Sequence, residues 1–376
     1  QLFNDIKKCN GRIGVFCEEG LIYYNAQQYL SERINNRVFN LIDKFWCWSK
    51  NQYDDISNKF NKNKLEIIDS PRFGLLNNYK NAKIIDKEES SILFLTSFGR
   101  VDSFGGDRLD ILKERGTYNN KLNYFYKDFN SHFKIYKNKF LNLIINIAKE
   151  FPNHNIKIRI HPSEKKDNYI NLVKSYKNIS LDQEINSIYS IKKSDFVISS
   201  FSTTSIEAEI LSDKAFVYAP INDERYESLI IRKFCRLIRN DEDIKKIIKG
   251  INNKTFYSLK ENSESLFKEN DPIKLLKAYA NEIVKLNFDH KIKNNNIKII
   301  YIRFRYFLKH LIRDAMYTFK FKKDKDFVLS KCPNISVKDI IKHSKIYFRN
   351  NEEYTNLTLK YKIKNVSKLI YEISKK

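Results

Sequence analysis

The sequence predicts an α/β protein built on parallel sheets, and three observations predict it. Short apolar runs recur along the chain, segments with helical periodicity separate them, and polar turns follow several of the runs on their carboxyl side. In order, residues 13–16 read as a first strand that ends in the acidic turn Cys17-Glu18-Glu19-Gly20. A helix is expected over 26–33, a strand over 45–48, an amphipathic helix over 52–60, and a strand over 64–68 that closes at Ser70-Pro71-Arg72. The polar run 77–90 reads as a linker. Residues 92–96 form a buried strand, and 124–151 carry Phe140, Leu143, Ile144 and Ile147 at helix spacing. Strands follow at 156–160, 195–199 and 215–219, with helices at 169–176, 203–211, 241–251 and 272–286.

A chain of 376 residues exceeds one ordinary domain, and its 42% hydrophobic and 14% aromatic content supplies a sizeable core. The linker divides it into 1–85 and 86–290, followed by a segment 291–376 of different character. That last segment holds 22 Lys and Arg against 7 Asp and Glu, so it carries most of the formal net charge of +24. It is expected to be largely helical and to meet an anionic partner. Nine Gly and six Pro exclude collagen-like and low-complexity classes. Five scattered cysteines (Cys9, Cys17, Cys47, Cys235, Cys332) contain no CxxC pair, which argues against a zinc cluster and a disulfide scaffold.

Open parallel sheets bind ligands beyond the carboxyl ends of their strands. Four turns therefore hold the candidate residues. In Arg159-Ile160-His161-Pro162-Ser163-Glu164, Pro162 holds the preceding residue extended, and the His161 imidazole could stabilise a departing phosphate; a solvated loop histidine is the plainer reading. In the run from Ser199 to Ser205, Ser202, Thr203, Thr204 and Ser205 open a helix and suit an anion, although one of them would suffice as a cap. Glu207, in the first turns of that helix, could accept hydrogen bonds from a ribose or simply favour the helix dipole. Glu18 and Glu19, adjacent carboxylates before Gly20, could supply a base or nucleophile. Thr96 and Ser97, with Gly99 and Gly105-Gly106, could form a donor-phosphate loop, and no GxGxxG or P-loop signature occurs.

The order acidic pair–Gly, His-Pro, Ser/Thr cluster resembles bacterial CMP-sugar glycosyltransferases of the GT-B fold. More closely, the chain resembles the surface carbohydrate biosynthesis proteins, similar to Kdo transferases. The resemblance rests on Cys17-Glu18-Glu19-Gly20-Leu21, the aromatic segment 45–52, Pro71-Arg72-Phe73 and His161-Pro162-Ser163-Glu164, and spans residues 11–220. It departs at Cys17, where Asp is usual, and at Gly74, where an acidic residue is usual.

That resemblance implies a GT-B-like pair of Rossmann-like domains. Residues 1–85 would be the remainder of an incomplete acceptor-side domain, and 86–290 the nucleotide-sugar domain. It implies transfer of a CMP-activated acidic sugar of the sialic, nonulosonic or Kdo type to a glycan or glycolipid acceptor, with no metal and no cofactor. Glu19, with Glu18 beside it, would be the base or nucleophile. His161-Pro162, Thr96, Ser97 and Ser202 to Ser205 would hold the CMP phosphate, and Glu207 the ribose. Asp102 and Asp107 are the reserve candidates for the catalytic carboxylate. Rival readings are a CDP-polyol phosphotransferase of the teichoic-acid type and a non-catalytic membrane- or polymer-binding scaffold.

Residues 299–321 interleave aromatics with Lys and Arg, as an interfacial helix does. A long C-terminal helix packing back across both domains is an equal and compatible reading of the same run. Together with the resemblance, the interfacial reading implies a peripheral place on the inner face of the bacterial cytoplasmic membrane, against an anionic surface. No nucleic-acid-binding motif occurs, so nucleic acid is not an expected partner.

Overall fold

The computed structural model describes residues 2–8, 12–17, 21–74, 76–81, 88, 90–103, 108–114, 118–184, 186–250, 361–367 and 370–375, with five more positions between 274 and 282. Two parallel sheets organise them, as the alternation of strands and helices predicts. The first sheet runs β1 (Gly14–Phe16), β2 (Lys44–Cys47), β3 (Leu65–Ile67), in sequence order and all parallel. Helix α1 (Leu2–Lys8) precedes it. Helices α2 (Ala26–Arg33) and α3 (Asn36–Leu41) cross from β1 to β2, and α4 (Lys50–Ser57) crosses from β2 to β3. Each crossover helix starts where a side chain accepts a free backbone N–H: Asn25 from Gln28, Asn35 from Arg37, Ser49 from Gln52. Gly14 admits no side chain, because an added Cβ would lie 2.4 Å from the Trp46 ring.

Helices α5 (Pro71–Gly74) and α6 (Leu76–Asn81) lead to the second sheet, whose six strands are all parallel. Its elements are β4 (Ser91–Leu95), α7 (Arg108–Glu114), α8 (Asn123–Glu150), β5 (Asn155–Arg159), α9 (Asp167–Ser175), β6 (Ile179–Leu181), α10 (Ser187–Lys193), β7 (Phe196–Ser199), α11 (Thr203–Leu211), β8 (Ala215–Tyr218), α12 (Leu229–Phe234), β9 (Leu237–Ile238) and α13 (Asp241–Ile248). The spatial order is β6-β5-β4-β7-β8-β9. The chain therefore winds outward in one direction from β4 and then in the other from β7. This is the doubly wound arrangement, and its reversal between β4 and β7 opens a crevice at their carboxyl ends.

Burial explains the sequence pattern. Every residue of β4, β7 and β8 is buried, as expected of strands covered on both faces. Helix α8 turns Phe129, Phe133, Tyr136, Phe140, Leu143 and Ile147 inward at three- and four-residue spacing. Tyr136 donates from its hydroxyl to the Tyr218 carbonyl at 2.6 Å, which ties α8 to the end of β8.

Between the sheets the sequence reading needs correction. The run 77–90 was expected as a linker, but its first residues belong to α6, which packs on α11, and Tyr79 is buried in the same core as β4. The Pro71-Arg72-Phe73 turn is a second tie. Phe73 meets Trp48 edge-to-face at 6.0 Å, and the Arg72 guanidinium pairs with the buried Glu207 carboxylate at 2.5 Å. The basic segment also differs where it is described. Tyr361–Ser367 pairs antiparallel with Ile370–Lys375, two strands where helix is expected, in keeping with the alternation Tyr-Lys-Ile-Lys that opens the first. Residues 299–321 lie outside the described residues. Among the described residues no helix is long and apolar enough to cross a membrane.

The Arg72–Glu207 pair yields a stability test. Removing Arg72 strands a carboxylate that is 1% exposed, with Ser187 as its remaining side-chain partner. Because the arginine itself is half exposed, Arg72→Ala should cost about 2–3 kcal/mol, less than the ~3–5 kcal/mol of a fully buried pair. Adding Glu207→Gln should recover most of that loss in urea unfolding. Equal stability of wild type and Arg72→Ala would show that the pair holds nothing.

Candidate functional site

The loops after β4 and β5 are held to each other by one acid. Glu164 is fully buried. Its Oε1 accepts the Thr96 hydroxyl at 2.9 Å and the Phe98 backbone N–H at 2.7 Å, and its Oε2 accepts the Tyr169 hydroxyl at 2.5 Å. Burial pushes its carboxyl up from an ordinary 4.5 to about 7, against the pull of these three hydrogen bonds and of the Lys137 charge. Backbone contacts reinforce the tie, because Glu164 bridges Ser103 and the Lys165 N–H donates to the Asp102 carbonyl at 2.9 Å.

His161 is positioned by the same construction. Its backbone N–H donates to the Thr96 hydroxyl oxygen at 3.1 Å, and the turn closes where the Glu164 N–H reaches the His161 carbonyl at 2.9 Å. Pro162 occupies the exposed corner of that turn. The ring Nδ1 accepts the Ser163 N–H at 3.2 Å and lies 2.7 Å from the Ser163 hydroxyl. An accepting Nδ1 places the neutral ring's proton on Nε2. Opposite Ser163 lies Gly99, where a Cβ would sit 2.0 Å from the Ser163 hydroxyl, so only glycine fits without turning Ser163 away from the imidazole.

At the third turn most hydroxyls are spent on structure. Ser202 caps α11 in a reciprocal box with Ser205, and the Ser205 hydroxyl donates to the Ser200 carbonyl at 2.6 Å. Thr204 lies 2.6 Å from the Ser202 hydroxyl. Thr96 is spent likewise, between Glu164 and His161. Two candidates differ: Ser97 and Thr203 are half buried, and among the described residues their hydroxyls make no hydrogen bond. With the first N–H groups of α11, they are the hydroxyl and amide groups left for an anion among the described residues of these turns.

The remaining candidates fall elsewhere. Glu207 is held by Arg72 and by the Ser187 hydroxyl at 3.3 Å, and burial raises its carboxyl against the pull of Arg72. Its carboxylate is occupied, which leaves no open edge for a ribose while the pair stands. Asp102 is taken up by Lys137, with Asn168 donating at 3.2 Å. Glu18, Glu19, Gly20 and Asp107 lie outside the described residues. Among the described residues no three of His, Cys, Asp and Glu gather so as to hold a metal ion. The sequence reading passed over Glu164 as a site residue. The available signal was an acid closing a turn between two buried strands and followed by Tyr169, and only the fold brings Thr96 and Phe98 to it.

No family profile matches the chain, and no curated protein matches it. Among solved structures, the S. aureus MnaA–UDP co-structure is similar to it at 14% identity and a TM-score of 0.45, over 76% of this chain and 71% of that one. The UDP-GlcNAc 2-epimerase from Neisseria meningitidis bound to UDP-GlcNAc is similar at 13% identity and a TM-score of 0.43, over 74% and 71%. The wall teichoic acid polymerase TagF is similar at 16% identity and a TM-score of 0.40, over 67% and 58%.

Glu164 makes a pH test possible. Between pH 4.5 and about 7 the folded protein keeps a proton on Glu164 that the unfolded chain has released, so this group's contribution to stability falls as pH rises through that window. Glu164→Gln carries no such proton. The unfolding temperature of wild type relative to Glu164→Gln should therefore drop steadily from pH 4.5 to 7. Parallel curves for the two proteins would contradict the buried, proton-holding carboxyl.

Proposed function

We propose that the chain is a glycosyltransferase that takes its sugar from a CMP-activated acidic donor and adds it to a surface glycan. One observation carries this reading. The reversal of strand order between β4 and β7 sets Ser97, His161 and the start of α11 at the carboxyl edge of the same parallel sheet. A phosphate placed at the crevice would accept the free N–H groups of α11 and the Thr203 hydroxyl. The Nε2–H of His161 would donate to it as the bond to the sugar breaks, when charge on the departing phosphate is greatest. These neutral donors would solvate an anion by hydrogen bonds, without calling on a divalent cation. The preference for CMP and for an acidic sugar rests on the motif resemblance, as does the assignment of Glu19, with Glu18 beside it, to the base or nucleophile. Glu207 is assigned here to fixing α11 through Arg72 rather than to the ribose.

Calorimetric titration tests the reading. CMP should bind more tightly than UDP, GDP or ADP, with EDTA making no difference, and Thr203→Val should weaken CMP about two- to tenfold through one lost hydrogen bond. His161→Ala should weaken CMP little, yet lower transfer by roughly 10²–10³-fold, as loss of one oxyanion donor does. Equal affinity for the four nucleotides would remove the CMP assignment. Preference for CDP, with a phosphodiester in the product, would replace it with polyol-phosphate transfer.

A further inference from the structure

A cavity of about 240 Å³ lies between α4 of the first sheet and the start of α12, and none of the crevice residues lines it. It is open to solvent on one side and has room for a sugar ring. Its polar wall is acidic. Asp54 and Asp55 stand in the second turn of α4, with Asn51 one turn before them. Asp54 pairs with Lys50 at 2.8 Å on the exposed side, whereas Asp55 accepts the Tyr23 hydroxyl at 2.5 Å. Burial and the bond to Asp55 raise the Tyr23 phenol, so it remains a donor to that side chain.

A second, independent observation comes from the opposite wall. Ser228 is 1% exposed and is the cap residue of α12, yet its side chain caps nothing. Among the described residues its hydroxyl has no hydrogen-bond partner, and Ser228 lines the cavity. That hydroxyl is left to whatever occupies the cavity. Beside it are Ile230 and Leu229, the latter 52% exposed at the wall. Carboxylates and an amide for hydroxyl groups, an unmet serine and an aliphatic surface for ring C–H groups make a carbohydrate's complement. Asp55, with Asp54 partly offset by Lys50, disfavours an anion, which weighs against a nucleotide and an acidic sugar alike.

We propose that this cavity is a binding subsite for an uncharged sugar ring, held by Asp54, Asp55, Asn51 and Ser228 against Leu229 and Ile230. On the transferase reading it would hold a neutral residue of the acceptor glycan; that role rests on the reading, but binding of the ring does not.

Saturation-transfer NMR on the full chain tests it with glucose, galactose and N-acetylglucosamine as probes, N-acetylneuraminic acid as the anionic control and putrescine as the cationic one. At least one neutral sugar should receive saturation, and the acidic sugar should receive none from this site. Asp55→Asn keeps the acceptor for Tyr23 and should weaken the neutral sugar about tenfold, the scale of a lost charge-assisted hydrogen bond. Ile230→Trp should fill the cavity and abolish the signal. The site is overturned if no neutral sugar gives a signal, if both variants bind as wild type does, or if putrescine binds and the sugars do not. CMP calorimetry on the same samples separates the two ideas: failure of CMP to bind wild type sinks the transferase reading alone, and a sugar signal that both variants lose would still stand.

Discussion

Glu164 sits fully buried where two loops of the second sheet meet, and it accepts hydrogen bonds from Thr96, Phe98 and Tyr169. Each loop alone would have to leave polar groups unmet in the core. Together they satisfy them on one carboxylate. The Thr96 hydroxyl donates to Glu164 and accepts the His161 N–H, so the histidine inherits its place from the buried acid. Phe98 follows into the core against Tyr136 and Phe140, which leaves Gly99 pressed on Ser163. A set of contacts this dense has few alternative arrangements, so the imidazole is oriented before any ligand arrives.

What the crevice offers a ligand is best found by subtraction. The hydroxyl-rich run at α11 reads as an anion site, yet Ser202 and Ser205 cap the helix and Ser200 serves the backbone of β4. Thr203, Ser97 and the first amides of α11 remain. The same subtraction moves Glu207 from ligand contact to architecture, because Arg72 reaches it from the first sheet's closing turn. A charge pair of this kind is weak evidence for stability by itself, but a broken one is costly. It thus favours one relative arrangement of α5 and α11.

The sequence was legible where periodicity was strong. The core strands near 92–95, 156–159 and 196–199 and the long helix after residue 123 stand close to where apolar spacing predicts them. β6 and β9, of three and two residues, are too short to carry a period, and Ser187–Lys193 is masked by its Lys and Ser content. At the candidate site, residue types mark the turns at the sheet's carboxyl edge but not the division of labour within them. Thr96 and Ser97 are neighbours of similar chemistry, and only the burial of Glu164 decides that the first is structural and leaves the second unused. The linker expectation failed for a related reason. Tyr79 reads as part of a polar run, while its ring is buried against Tyr189.

The most direct measurement is a crystal structure of the chain with CMP bound. The account predicts the phosphate at the start of α11, accepting from the Thr203 hydroxyl and the adjacent N–H groups, with the His161 ring alongside and the Thr96–Glu164 contact unchanged. CMP seated elsewhere, with Thr203 and His161 untouched, would contradict it.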